Sequence, residues 1–267
     1  MNGYRELDVS DDGDVFRIAF DRPAQRNAVG ERTHEELTTV FRDADRSDAR
    51  AVVLTGSGEA FSAGGDLDWL EHCLDDPAAF DRVLREGEAI IEGMLALETP
   101  IVARVNGDAV GLGATLALFC DVAVASTDAQ IGDPHIRVGL VPGDGGAAIW
   151  PLLVGLNRAK EFLMTGKTVG AETAAEMGLI NRAVDPDRLD EAVDEYVSAF
   201  TDGPQPALRH TKRALNAWLR MGVETSFRES LALEGRSQRH PDHREGLAAV
   251  REGRRPAFPS ATTEVDE

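Results

Sequence analysis

Lysine is almost missing from this chain. Only Lys160, Lys167 and Lys212 occur, and 47 acidic residues face 28 basic ones, a net charge of −19 over 267 residues. Binding nucleic-acid phosphate needs clustered positive charge, so no nucleic-acid partner is expected. That much like charge repels itself at ordinary ionic strength. At about 1 M salt the screening length falls to about 3 Å and the repulsion fades, so the composition points to a halophilic protein. Cysteine is scarce as well. Cys73 and Cys120 fit neither a disulfide framework nor a zinc site, and a reducing cytoplasm is the expected compartment. No HxxxH or Cys/His spacing suggests a metal, and no GxxxxGK[ST] supports nucleotide triphosphate chemistry. No apolar run reaches membrane-spanning length, the best being interrupted by Arg104, Asn106 and Asp108. No leader-like apolar segment follows a basic one near the start, and no membrane association is expected.

Glycine and small apolar residues are concentrated in one stretch, 105–146. Gly107, Gly111 and Gly113 precede the apolar run 114–119, which reads as a helix. Glycines let the backbone turn sharply there and expose N–H groups at the helix's positive end. Such a turn suits an anion, or a carbonyl oxygen that becomes one during reaction; the plain alternative is a tight strand-to-helix turn. The segment FSAGGDL (61–67) is a second glycine-rich turn leading into a helix.

The remaining pattern is α/β. Residues 7–9 and 15–20 form a hairpin around Asp11-Asp12-Gly13-Asp14, and 33–46 an amphipathic helix through Leu37, Val40 and Phe41. Strands are expected at 51–55, 101–105, 122–125 and 180–184. Helices are expected at 77–97, 147–154, 158–165 and 171–177, and along the stripe Leu189, Val193, Tyr196, Val197, Phe200. Residues 130–139 read as extended or looped. After Gly203-Pro204 only helices follow. This tail is too short to bury a core alone and is expected to dock on the main domain or another subunit. The division is a core at 1–200, a helical region at 201–259 and a frayed end at 260–267.

FSAGGDL, Asn106-Gly107 with Gly111 and Gly113, and VGLVPGDGG (138–146), in this order, resemble the enoyl-CoA hydratase/isomerase (crotonase) family. FDRPAQRNA (20–28) resembles its N-terminal signature. Thr165-Gly166 through Asn181 resembles a later one, and 245–258 its C-terminal end. The resemblance implies a spiral of ββα repeats with a helical oligomerisation tail that builds trimers, or hexamers as paired trimers. It implies an acyl-CoA thioester substrate, with coenzyme A as part of the substrate and no further cofactor. Backbone N–H groups of Gly65 and Leu112 would hold the thioester oxygen as it becomes an enolate. Coenzyme A would lie along Arg22, Arg26 and Ala28 on one side and Ala63, Gly65, Asp66 and Leu67 on the other.

The two glutamates that the family's hydratases use fall here at Thr115 and His135. Thr115 cannot exchange a proton near neutral pH and at best orients a water. His135 can, since its ordinary pKa lies near 6.5, so it leads the catalytic candidates; the alternative is a histidine that fills a loop. Asp144 either orients His135, acts as base, or caps the helix beginning near Gly145. Glu88 is a further candidate, more simply read as a solvated helix residue. His34, His72, His210, His240 and His243 read as surface. The resemblance makes enoyl-CoA hydration, in the manner of fatty-acid oxidation, the leading expectation. The missing glutamates keep isomerisation, thioester hydrolysis, decarboxylation and a non-catalytic acyl-CoA binder as rivals.

Overall fold

In the computed structural model, which describes residues 3–262, the hairpin is formed by β1 (Leu7–Asp11) and β2 (Val15–Phe20). Asp12 Oδ1 accepts from the N–H groups of Asp14 and Val15 and closes the turn. The chain continues through α1 (Glu31–Arg46), β3 (Ala51–Gly56), α2 (Leu67–Asp75), α3 (Pro77–Ala96), β4 (Ile101–Val105), β5 (Ala109–Val110) and α4 (Leu112–Phe119). Then come β6 (Val122–Ser126), β7 (Gln130–Gly132), α5 (Gly146–Val154), α6 (Leu156–Thr165), β8 (Thr168–Gly170), α7 (Ala171–Glu176), β9 (Arg182–Val184) and α8 (Leu189–Thr201). The tail is α9 (Gln205–Gly222), α10 (Arg228–Ser237), α11 (Pro241–Glu252) and α12 (Pro259–Thr262). The strands β5, β7 and β8 are two or three residues long, too short for an alternation to register in the sequence.

Six strands form one sheet in the order β1-β2-β3-β4-β6-β9, parallel except for the first pair. Period-two alternation divides its side chains between two layers. Val52, Leu54, Ala103 and Val105 enter the main core with Leu37 and Phe41 of α1. Ala51, Val53, Val102 and Val124 point the other way, where Leu189, Val193 and Val197 of α8 cover them. Both faces are dry, which is why these strands read as continuous apolar runs. A second, three-stranded sheet, β5-β7-β8, lies on the functional side. It is extended by single bridges between Ser62 and Ala109 and between Val29 and Gly65.

The helical tail docks on this core. Val223, Phe227 and Leu247 are buried. Lys212 is buried too, its Nζ donating to Thr99 O at 2.9 Å and pairing with Asp121 at 2.8 Å. Both cysteines are buried free thiols, and burial pushes Cys73 up to about 11 and Cys120 further, so neither is a ready nucleophile. Among the described residues no helix is long and apolar enough to cross a membrane. Of the expected frayed end, Pro259–Thr262 is the short helix α12, and 263–267 lie outside the described residues.

Candidate active site

The two glycine turns meet. β3 leads through 61–65 to α2, and β4 leads through 106–111 to α4. Gly64 sits at φ +84°, and a Cβ on it would lie 2.9 Å from Val110 O; a Cβ on Gly113 would lie 2.6 Å from that of Ser62. Only glycine allows the two backbones this close. Asp66 caps α2 by accepting from the N–H groups of Asp68 and Trp69. The N–H groups of Gly65 and Leu112 have no protein acceptor among the described residues. Both residues line one largely apolar cavity of about 330 Å³, walled by Leu70, Phe80, Val83, Leu140 and Leu231.

His135 lies in this cavity, at the start of a short helical turn, His135–Val138, that follows β7. Its Cε1 is 3.6 Å from where a Cβ of Gly111 would be. Asp133 Oδ1 accepts from Nδ1. On the other side of the ring Nε2 is 3.7 Å from Asp144 Oδ2. Asp144 Oδ1 is already occupied by Thr115 Oγ1 at 3.1 Å and Gly146 N–H at 3.2 Å, while Oδ2 is buried without a partner. Asp144 thus accepts from the first N–H of α5 and also faces His135. Thr115 touches the carboxylate that faces His135.

Burial alone would lower the His135 pKa, but Asp133 and Asp144 outweigh it and raise it well above 6.5. Burial lifts Asp144 to about 6 against the opposing pull of His135. A fourth group, Glu234 on α10, was not expected. It lines the cavity, packs against Gly143, and is pushed by burial up to about 8 despite His135. Near neutral pH the cluster therefore holds an imidazolium, an ionised Asp144 and a protonated Glu234. A signal for Glu234 existed: it follows Leu231 by three and Phe227 by seven, on the apolar stripe of its helix.

Asp133, His135 and Asp144 bring one ligand atom each within 4.8 Å of one another. Nδ1 of His135 and Oδ1 of Asp144 are already engaged, while Oδ2 of Asp133 and Oδ2 of Asp144 are buried without a partner.

The other candidates divide. Ala63, Gly65 and Leu67 line the cavity. Arg22 and Asp66 line an adjoining outer groove, but they pair with each other at 3.1 Å, and Arg22 also reaches Glu6 at 3.5 Å and Ala28 O at 2.6 Å. Arg22 is therefore a brace holding the turn rather than a free cation. Arg26 is exposed and tied to Asp108 at 2.8 Å. Glu88 is solvated, beside Arg228 at 3.4 Å, and is not among the residues that line the cavity. Two histidines depart from the surface reading. His243 is buried, with Nδ1 2.6 Å from Val138 O. His34 is buried and lines the cavity. Each lies on its helix's apolar stripe, with Leu247 and Leu37 as neighbours.

The sequence model of the enoyl-CoA hydratase/isomerase family matches residues 11–261. A solved enoyl-CoA hydratase/isomerase from Mycobacterium paratuberculosis superposes with a TM-score of 0.88 at 36% identity, covering 93% of this chain and 99% of that one. The short-chain-enoyl-CoA hydratase of Clostridium acetobutylicum is 29% identical over 91% of this chain and 94% of its own length. A β-diketone hydrolase from the cyanobacterium Anabaena, solved with (S)-3-oxocyclohexyl acetic acid, superposes with a TM-score of 0.82 at 31% identity, covering 88% of this chain and 95% of that one. The chain belongs to the enoyl-CoA hydratase/isomerase family and has its crotonase fold.

Proposed function

We propose that this protein adds water across the α,β double bond of an enoyl-CoA, using an imidazole–carboxylate cluster in place of two glutamates. The observation that carries this reading is the 3.7 Å gap between His135 Nε2 and Asp144 Oδ2. It is too long for a direct hydrogen bond and suits one oxygen atom bridging both groups. A water there gives its proton to Asp144 and its oxygen to the β-carbon. The electron pair moves to the thioester oxygen, which the N–H groups of Gly65 and Leu112 hold as an enolate. Losing one such donor typically raises a barrier by about 2.7–4 kcal/mol. Glu234, protonated near neutral pH, supplies the proton to the α-carbon. His135 relays a proton from Asp144 back to Glu234 and resets the site. The product is a β-hydroxyacyl-CoA.

Apolar side chains exposed on α9 (Leu215, Trp218 and Met221), with Leu152 packed beside Gly222, favour an oligomerisation role for the helical tail. A homotrimer, or a hexamer of two trimers, is part of this reading; light scattering in molar KCl checks it.

A second reading is hydrolysis of a β-diketone. The Anabaena neighbour is a hydrolase of that kind, and the same groups suffice. Water activated beside His135 attacks one carbonyl, the carbon–carbon bond breaks, and the departing enolate is held by the two N–H groups until Glu234 protonates it. Turnover in H2(18)O separates the two readings. Hydration places one (18)O on the β-carbon with no free thiol released. Diketone cleavage places it in a new carboxylate. Thiol release with labelled carboxylate from an acyl-CoA would replace both with thioester hydrolysis.

A further inference from the structure

The cavity contains a second polar device. His34 lies on the first turn of α1 and is 3% exposed. Its Nδ1 is 2.7 Å from Oε2 of Glu86 on α3, and its ring is tilted over Trp69 of α2 with centroids 5.2 Å apart. The carboxylate fixes the tautomer, since an acceptor on Nδ1 places the proton there. Among the described residues Nε2 has no protein partner, and His34 lines the cavity with Val29, Trp69 and Leu70. Glu86 precedes Gly87, whose missing side chain leaves part of that cavity open. A purely structural tie between α1 and α3 has no need of an imidazole facing apolar side chains.

Resting on the acyl-CoA reading above, we infer that His34, held by Glu86, is a specificity residue that recognises a hydroxyl on the acyl chain, remote from the thioester. A neutral ring offers a lone pair at Nε2 and a protonated ring offers a proton. A hydroxyl both donates and accepts, so it satisfies either state, whereas a methyl end satisfies neither. Among acyl chains long enough to reach His34, the hydroxylated acyl-CoA is therefore bound in preference to its plain alkyl counterpart. Sites built to hydrogen-bond a hydroxyl reject analogues lacking it far more strongly than apolar pockets reject an extra methylene.

The test separates binding from chemistry by using unreactive saturated esters. Hexanoyl-CoA and 6-hydroxyhexanoyl-CoA are titrated calorimetrically into the full-length wild type, His34→Leu and Glu86→Gln in molar KCl. The expected result is at least tenfold tighter binding of the hydroxylated ester by wild type. His34→Leu should lose that preference while binding hexanoyl-CoA at least as well, and Glu86→Gln should fall between. Equal affinities in wild type, or a preference that survives His34→Leu, would overturn the inference. So would an equal loss for both esters and for free CoA, which would place His34 against the CoA handle. Failure of the hydration reading shows instead in the (18)O experiment, whatever these affinities are. Should His34→Leu fold poorly, His34→Phe is the replacement, with a Tm equal to wild type as the control.

Discussion

The two glycine turns share one plan, strand then turn then helix, yet they are backed very differently. The helix behind Leu112, α4, is buried along all eight residues. The helix behind Gly65, α2, buries only Cys73, and ion pairs from Arg251 to Asp68 and Glu71 tie its outer face to α11. One N–H donor is thus set by packing, in an interior that resists small displacements. The other rests on an aspartate cap and on exposed charge pairs, each worth about 0–1 kcal/mol. The groups proposed to react follow the same division. His135 and Asp144 lie on the α4 side, against Gly111 and Thr115, where geometry is held. The α2 side contributes Leu67, Trp69 and Leu70 to the cavity wall, where acyl chains differ. On the hydration reading proposed above, the chemistry is built on apolar packing and selectivity on the adjustable side.

The largest expected effect comes from removing the proton relay on the fixed side. His135→Ala should lower kcat by about 10²–10⁴-fold, the usual worth of a positioned acid–base group, with Tm little changed. Next comes a paired test of the turns. Gly113→Ala places a methyl against Ser62 and the Ser62 carbonyl, at 2.6 and 3.0 Å, and should cost about 1–3 kcal/mol by overpacking together with most activity. Gly65→Ala meets only the end of Leu70, at 3.0 Å, a side chain that can turn aside. Its chemical melt should shift by less than about 1 kcal/mol. Equal effects from the two would remove the distinction.

The pH profile is a finer probe. Asp144 must be ionised and Glu234 protonated, so kcat should rise through about pH 6 and fall through about pH 8. Stability should carry a different signature, a decline with rising pH and no bell. The folded-state pKa of Glu234 is raised from 4.5 to about 8, so across that window the native state binds the extra proton. The Glu234 contribution to stability is then complete below about pH 4.5 and is lost as pH rises towards 8. Glu234→Gln should flatten that decline, read from denaturant midpoints at several pH values. The smallest effect belongs to the adjustable side. Arg251→Ala should lower Tm only slightly in dilute buffer, and the difference should vanish near 1 M KCl.

Much of this was legible in the sequence, for a physical reason. Glycine turns, β-runs and an imidazole in place of a carboxylate are local signals, and Ala63, Gly65, Leu67, Gly111, Leu112, His135 and Asp144 line one cavity. What escaped depended on contacts between distant helices. Glu234 is 90 residues from Asp144 and acquires its raised pKa only when α10 docks over Gly143. His34 and His243 read as surface by type and Glu234 was not singled out, although each occupied an apolar-stripe position. The position was the better guide, because the period of a helix decides which side chains lose water. Arg22, on the expected path of coenzyme A, is paired with Asp66 and Glu6, contacts that no local pattern in the sequence announces.

The most direct measurement is the loss of enoyl absorbance when crotonyl-CoA is mixed with the protein in molar KCl, with His135→Ala alongside. The account predicts rapid loss with wild type and at least a hundredfold slower loss with the variant, both retaining CoA-ester binding. No loss with wild type, or unchanged turnover in His135→Ala, would contradict a hydratase that works through this imidazole.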